Sequence, residues 1–159
     1  MENPVRKLLA ALAVSAAALC LVTGPANASG SRVYYETVAP GDVQFIPACI
    51  PGPNNPTCDP RGPGSVFTSV GSLSYTQGGA AIGSITTECT TTHKIGNDYY
   101  GFCEDVLTTP QGTFTAVGSI NETGLERYEP QTLSIAGPPG GTLTVQQIVY
   151  PNVFKLTVN

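Results

Sequence analysis

Apolar and polar residues alternate in short runs over most of this chain, and each run ends at a cluster of Gly, Pro, Asn or Asp. A period of two marks a strand with one face buried, and the clusters between runs carry turn chemistry. The runs are Val33–Val38 (VYYETV), Val66–Tyr75 (VFTSVGSLSY), the two halves of Ala80–Thr109, Thr113–Asn121 (TFTAVGSIN), Gln131–Ala136, Thr142–Tyr150 (TLTVQQIVY) and Val153–Asn159 (VFKLTVN). Turns at Gln77-Gly78-Gly79, Pro110-Gln111-Gly112, GPPGG (137–141) and Pro151-Asn152 separate them. Beyond the first thirty residues no window has a helical period. The pattern predicts an all-β domain of seven or eight short antiparallel strands, a barrel or a sandwich.

The centre of the pattern is Ala80–Thr109, two strands joined by the turn Lys94-Ile95-Gly96-Asn97-Asp98, with a cysteine in each strand. Opposed cysteines on an antiparallel pair share a face and lie close enough to bond. Setting Cys89 against Cys103 places Thr91 opposite Gly101, Thr87 opposite Asp105 and Ile85 opposite Leu107. One face then carries Ile85, Thr87, Cys89, Tyr99, Gly101, Cys103, Asp105 and Leu107, while the other carries Glu88 and Glu104. Desolvating two opposed carboxylates is costly, so the cysteine face points inward. The same parity turns Phe114, Ala116, Gly118 and Ile120 inward on the next strand. On the last hairpin it selects Val145, Gln147 and Val149 with Phe154, Leu156 and Val158.

Between Pro40 and Gly64 the chain is rich in Pro and Gly, which excludes helix and central strand and predicts an irregular loop. Spacing pairs Cys49 with Cys58 across CIPGPNNPTC. The loop is either a lid over a pocket or a surface Ω-loop. At the start, Arg6 and Lys7 precede an apolar run, Leu8–Val22, and Ala26-Asn27-Ala28 supplies a small-x-small cleavage pattern. The expectation is a secretory signal at 1–28 cut after Ala28. A first strand and disulfide-closed loop at 29–64 and the remainder of one barrel domain at 65–159 follow, secreted and with no membrane attachment after cleavage. The 131 residues that remain suit a single core. Four remaining cysteines in an exported chain argue for two disulfides rather than metal ligands. The formal net charge of −4 becomes −5 once Glu2, Arg6 and Lys7 are gone, which disfavours nucleic acid and anionic membrane surfaces.

Three stretches resemble the bacterial branch of the allene oxide cyclase and dirigent-like barrels: GSLSYTQGGAAIGSITTEC, YYGFCEDVLTTPQGTFTAVGSI and LSIAGPPGGTLTVQQ. Leu73, Tyr75, Gly79, Ile82, Gly83, Cys89, Cys103, Gly112 and Gly118 carry the likeness, which spans 64–159. The GPPGG segment departs from it, being shorter and richer in proline than the family's Gly-Gly-Thr-Gly loop. The resemblance implies an eight-stranded antiparallel barrel with a central cavity. Family members include cyclases and proteins that steer reactive intermediates, some of them pericyclases on polyketide chains. No catalytic residue of the family is carried over to this sequence.

Candidate chemistry is sparse. Asp105 is the one carboxylate that parity places inward, near Tyr99, and a lumen carboxylate with a raised pKa is an acid or base for a bound intermediate. Its ordinary reading is a strand-end aspartate that is hydrogen-bonded or reaches solvent. Glu88 and Glu104 form a dyad only if the facing is reversed. His93, beside the hairpin turn, has no nucleophile elbow to serve and reads as a surface histidine. One histidine with oxidised cysteines makes a poor metal site, so no metal or cofactor is expected. Tyr34 and Tyr35 fit a cavity wall or an ordinary barrel wall, and Asn121-Glu122-Thr123 is a glycosylation sequon. The expected lumen is Ile85, Tyr99, Asp105, Leu107, Phe114, Ile120, Val145, Gln147, Val149, Phe154 and Leu156. Asp105, Tyr99 and Gln147 are its ligand or catalytic candidates. The expected partner is a small hydrophobic molecule, bound by a cyclase or isomerase or held by a non-catalytic carrier. A structural protein with a side-chain-filled barrel is the other reading, and homo-oligomerisation is compatible with any of these.

Overall fold

The computed structural model describes residues 30–137 and 140–159. The signal segment and its Ala28 cleavage site lie outside them, as does part of the GPPGG turn. Eight antiparallel strands close into a barrel in chain order: β1 (Arg32–Ile46), β2 (Val66–Ser74), β3 (Gly83–Ile95), β4 (Asp98–Thr109), β5 (Gly112–Asn121), β6 (Gln131–Ile135), β7 (Thr142–Val149) and β8 (Val153–Val158). β1 pairs with both β2 and β8, so the sheet closes on itself. The β3–β4 register sets Cys89 opposite Cys103, Thr87 opposite Asp105 and Ile85 opposite Leu107, as the pattern predicts. Both disulfides are formed, Cys49–Cys58 and Cys89–Cys103, with Cα separations of 5.9 and 4.1 Å.

Two elements differ from the sequence expectation. β1 does not stop at Pro40 but runs on to Ile46. Its register against β2 jumps from Val38↔Gly71 to Val43↔Ser69, so a wide bulge takes up Pro40 and Gly41 without breaking the strand. The irregular loop therefore begins only after Ile46. It is fastened to the barrel where Gly64 N–H donates to Thr91 O (2.8 Å) and Thr91 N–H donates to Ser65 O (2.9 Å). The second difference is a five-residue helix, α1 (Glu122–Glu126), between β5 and β6. Asn121 caps it, its side-chain oxygen accepting from Gly124 N–H at 2.8 Å. A helix this short spans less than two turns and leaves no periodicity to read.

The barrel is packed solid at one end. Tyr34, Leu73, Ile85, Leu107, Leu143 and Leu156 are almost wholly buried there and form a floor of large side chains. Phe114 packs against it. Each comes from a different strand, and on every strand the inward alternation continues from the floor toward the other end.

Candidate functional site

Above the floor the barrel is hollow. A cavity of about 450 Å³ begins one inward position beyond the floor on β1, β3, β4, β7 and β8 and is not filled by side chains. On β4 the inward series passes from Leu107 to Asp105 and Cys103. On β1 it passes from Tyr34 to Glu36, on β7 from Leu143 to Val145 and Gln147, and on β8 from Leu156 to Phe154. The walls are mainly apolar, with Cys89, Cys103, Ile120, Leu125, Leu133, Val145 and Phe154 among them. The volume lies in the range that holds one small organic molecule. The cavity opens past Val43, Phe45, Phe67 and Tyr150, which are themselves solvent-exposed.

Two acids sit deep in this apolar chamber. Asp105 is 3% exposed and Glu36 is 4% exposed. Thr87 Oγ1 donates to Asp105 Oδ1 at 2.7 Å, and among the described residues this is the only hydrogen bond to that carboxylate. Burial raises the Asp105 pKa to about 6, with the Thr87 bond opposing the shift. Burial also raises Glu36 to about 8, and the charge on nearby Asp105 pushes in the same direction. The Glu36 side chain lies over Gly71 of β2, where a Cβ would overlap it. Of the two, Asp105 is therefore the group that ionises first, and Glu36 keeps its proton to higher pH.

A third acid guards the mouth. Glu122, the first residue of α1, sits over Gly101, where a Cβ would collide with its carboxyl group. Thr91 Oγ1 donates to both Glu122 oxygens (3.0 and 3.1 Å) and in turn accepts from Ser65 Oγ at 2.9 Å. Partial burial raises the Glu122 pKa, opposed by that hydroxyl and by the Arg61 charge. Arg61, just past the Cys49–Cys58 loop, lines the opening and pairs with Glu126 of α1 at 2.9 Å. Its guanidinium also lies 4.8 Å from the centre of the Tyr99 ring.

The remaining expected residues divide by position. Asp105, Gln147, Ile120, Val145 and Phe154 line the cavity, whereas Ile85, Leu107, Leu156 and Phe114 belong to the floor or pack on it. Tyr99 does not reach the lumen. Its hydroxyl donates to Asp59 (2.9 Å) and accepts from Lys94 Nζ (2.8 Å), because it lies past the barrel rim where the loop folds over β4. A bulge between Thr91 and His93 also shifts the β3 register there. Val149 points to solvent, since a second bulge between Gln147 and Val149 ends the alternation of β7. Glu88 and Glu104 face each other on the exposed side, and His93 is exposed and stacked on Tyr100. Tyr34 is buried in the floor, its hydroxyl donating to Gln111. Pattern reading missed Glu36, Glu122 and Arg61. The alternation Tyr34, Glu36, Val38 carried the signal for the first, by the parity rule already applied to the hairpin.

No protein-family model matches the sequence, and no curated protein matches it. Solved structures do. A pyocyanin demethylase superposes with a TM-score of 0.61 at 19% identity, over 82% of this chain and 100% of its own. The chain has the fold of that barrel and of two cyclases. One is a nonspecific heme-binding cyclase that catalyses a [4 + 2] cycloaddition during neoabyssomicin biosynthesis, with a TM-score of 0.59 and 18% identity over 81% of this chain and 62% of its own. The other is a Diels–Alderase from Streptomyces koyangensis, with a TM-score of 0.59 and 17% identity over 81% of this chain and 63% of its own. This chain spans less than two thirds of the length of either cyclase. At these identities the likeness is one of fold.

Proposed function

We propose that this chain is an exported barrel of the allene oxide cyclase-like type that takes one small, largely apolar molecule into its lumen and isomerises or cyclises it by proton transfer. The observation that carries this reading is the Glu36–Asp105 pair, buried in an apolar chamber large enough for such a molecule. Two acids whose surroundings push their pKa values apart divide the roles of acid and base between them. In the proposed step the Asp105 carboxylate takes a proton from a carbon of the bound molecule. Glu36 delivers its own proton at a second position, as ring closure or a double-bond shift proceeds. The proton on Asp105 then passes to Glu36, the stronger base of the two, and both return to their starting states with no atom gained or lost. Gln147, on β7, supplies a neutral polar contact in the same chamber. Two barrels with this fold are cyclases of small molecules, in keeping with a small-molecule lumen.

Two measurements test this reading. The neutral dye N-phenyl-1-naphthylamine, whose fluorescence rises in apolar surroundings, should bind saturably at one site per chain. A Val145→Trp substitution that narrows the chamber should weaken that binding about tenfold or more while leaving the β circular dichroism intact. Affinity unchanged in the narrowed variant, or binding that fails to saturate in the parent, overturns the lumen site. The base role is tested with 5-nitrobenzisoxazole, a neutral probe that loses a carbon-bound proton to a carboxylate base. Its breakdown should be accelerated, and Asp105→Asn should remove about a hundredfold of that rate. Equal rates in both proteins would remove Asp105 from the chemistry. Export is checked by mass spectrometry of protein secreted by its host, which should begin at Ser29; an intact precursor would contradict it. The two disulfides fit folding in an oxidising compartment.

A further inference from the structure

We infer that the molecule this lumen takes carries a positive charge, a protonated amine or other cationic nitrogen on an otherwise apolar frame. The inference rests on the lumen-binding reading above and adds the chemical class of the ligand. Four carboxyl groups line the cavity: Glu36, Asp105, Glu122 and Glu126. Among the described residues Arg61 is the single cationic side chain on that lining, and Glu126 already holds it at the mouth. Lys94 is occupied outside, with Asp59 and Tyr99. Among the described residues the deep half of the chamber thus has carboxyl groups and no cationic side chain.

The hydrogen bonds point the same way. Thr87 satisfies one oxygen of Asp105, and no donor among the described residues reaches its other oxygen or either Glu36 oxygen. Each of these side chains is more than nine-tenths buried, yet neither carboxyl group is sealed in, because both face the cavity. Acceptors that face a cavity in this way take a donor from whatever occupies it. An ammonium group offers donors and no acceptor, and its bond to a carboxylate is charge-assisted. An anionic ligand would instead meet Asp105 in low dielectric with no counter-ion, and a neutral one would leave the negative charge uncompensated.

Three naphthalene probes of nearly equal size separate the possibilities: 1-naphthylmethylammonium, 1-naphthalenemethanol and 1-naphthylacetate. The protein has no tryptophan, so naphthalene fluorescence reports binding directly. At about 0.15 M salt, where surface charges are screened, the ammonium should bind about tenfold tighter than the alcohol or better. The acetate should bind weakest. Asp105→Asn, close to isosteric, should erase most of the ammonium preference, read as the ratio of ammonium to alcohol affinity, and Glu36→Gln should reduce it less, because Glu36 keeps its proton to higher pH. If the dye and the alcohol bind but the ammonium has no advantage, or keeps it in full in Asp105→Asn, the charge inference is overturned and the lumen reading stands. If neither the dye nor any of the three probes saturates, the lumen reading itself fails and the inference falls with it.

Discussion

Glu36 and Asp105 are costly residues to keep, because an apolar wall penalises their charged forms. A carboxyl whose pKa is higher in the folded state than in the unfolded chain holds its proton more tightly when folded. Its contribution is complete below the unfolded value and is lost as pH rises through the folded value. For Glu36 that window runs from 4.5 to about 8, and for Asp105 from 3.8 to about 6. Asp59 and Asp98 shift the other way, held down by hydrogen bonds from Lys94 and Arg127, and their contribution is lost only as pH falls through values below 3.8. Urea melts should therefore show stability declining between about pH 5 and pH 8, by on the order of 3 kcal/mol if Glu36 dominates. Glu36→Gln should flatten most of that slope and raise stability at pH 8. A slope identical to the parent's would mean that Glu36 is not desolvated as the geometry implies. Asp105 was legible in the sequence because the paired cysteines fix its register. Glu36 sits on a strand with no such marker, and its carboxylate looks like a surface residue until the neighbouring alternation is followed.

At the level of elements, the two disulfides hold different things. Cys89–Cys103 ties β3 to β4 under the cavity wall, and both sulfurs are buried. Cys49–Cys58 closes a nine-residue separation within the loop, and both of its cysteines are partly exposed. Cys103→Ser should cost about 2–5 kcal/mol in chemical denaturation. Cys58→Ser should cost less, since it closes a shorter loop and leaves the barrel wall intact. The reverse order would show that the loop braces the barrel more than the hairpin does. Registers were readable wherever strands alternate without interruption, which covers the β3–β4 hairpin and the inward faces of β5 and β8. Readability failed at bulges. The insertions at Ala39–Asp42, near Thr92 and near Ile148 each move one or more residues across the sheet with no strong local signature. Hence β1 appeared too short, and Val149 appeared to face inward.

Across the whole molecule, packing density changes along the barrel axis. Leu107 is enclosed on all sides in the floor, so Leu107→Ala should leave a cavity and cost about 2–5 kcal/mol. Val145 already faces empty space on one side, and Val145→Ala should cost markedly less in the same thermal or urea melts. Similar losses at both sites would mean the chamber is collapsed in solution. The solid floor also governs traffic. With Tyr34, Leu73, Ile85, Leu107, Leu143 and Leu156 sealing one end, the barrel is a cup rather than a pipe. Whatever enters must leave by the same rim, past Arg61, Phe45 and Tyr150. A long chain cannot be threaded through and must go in end first or folded. Under the proposed function its leading end alone would meet the two acids, and a product bulkier than its precursor would have to back out through the same door.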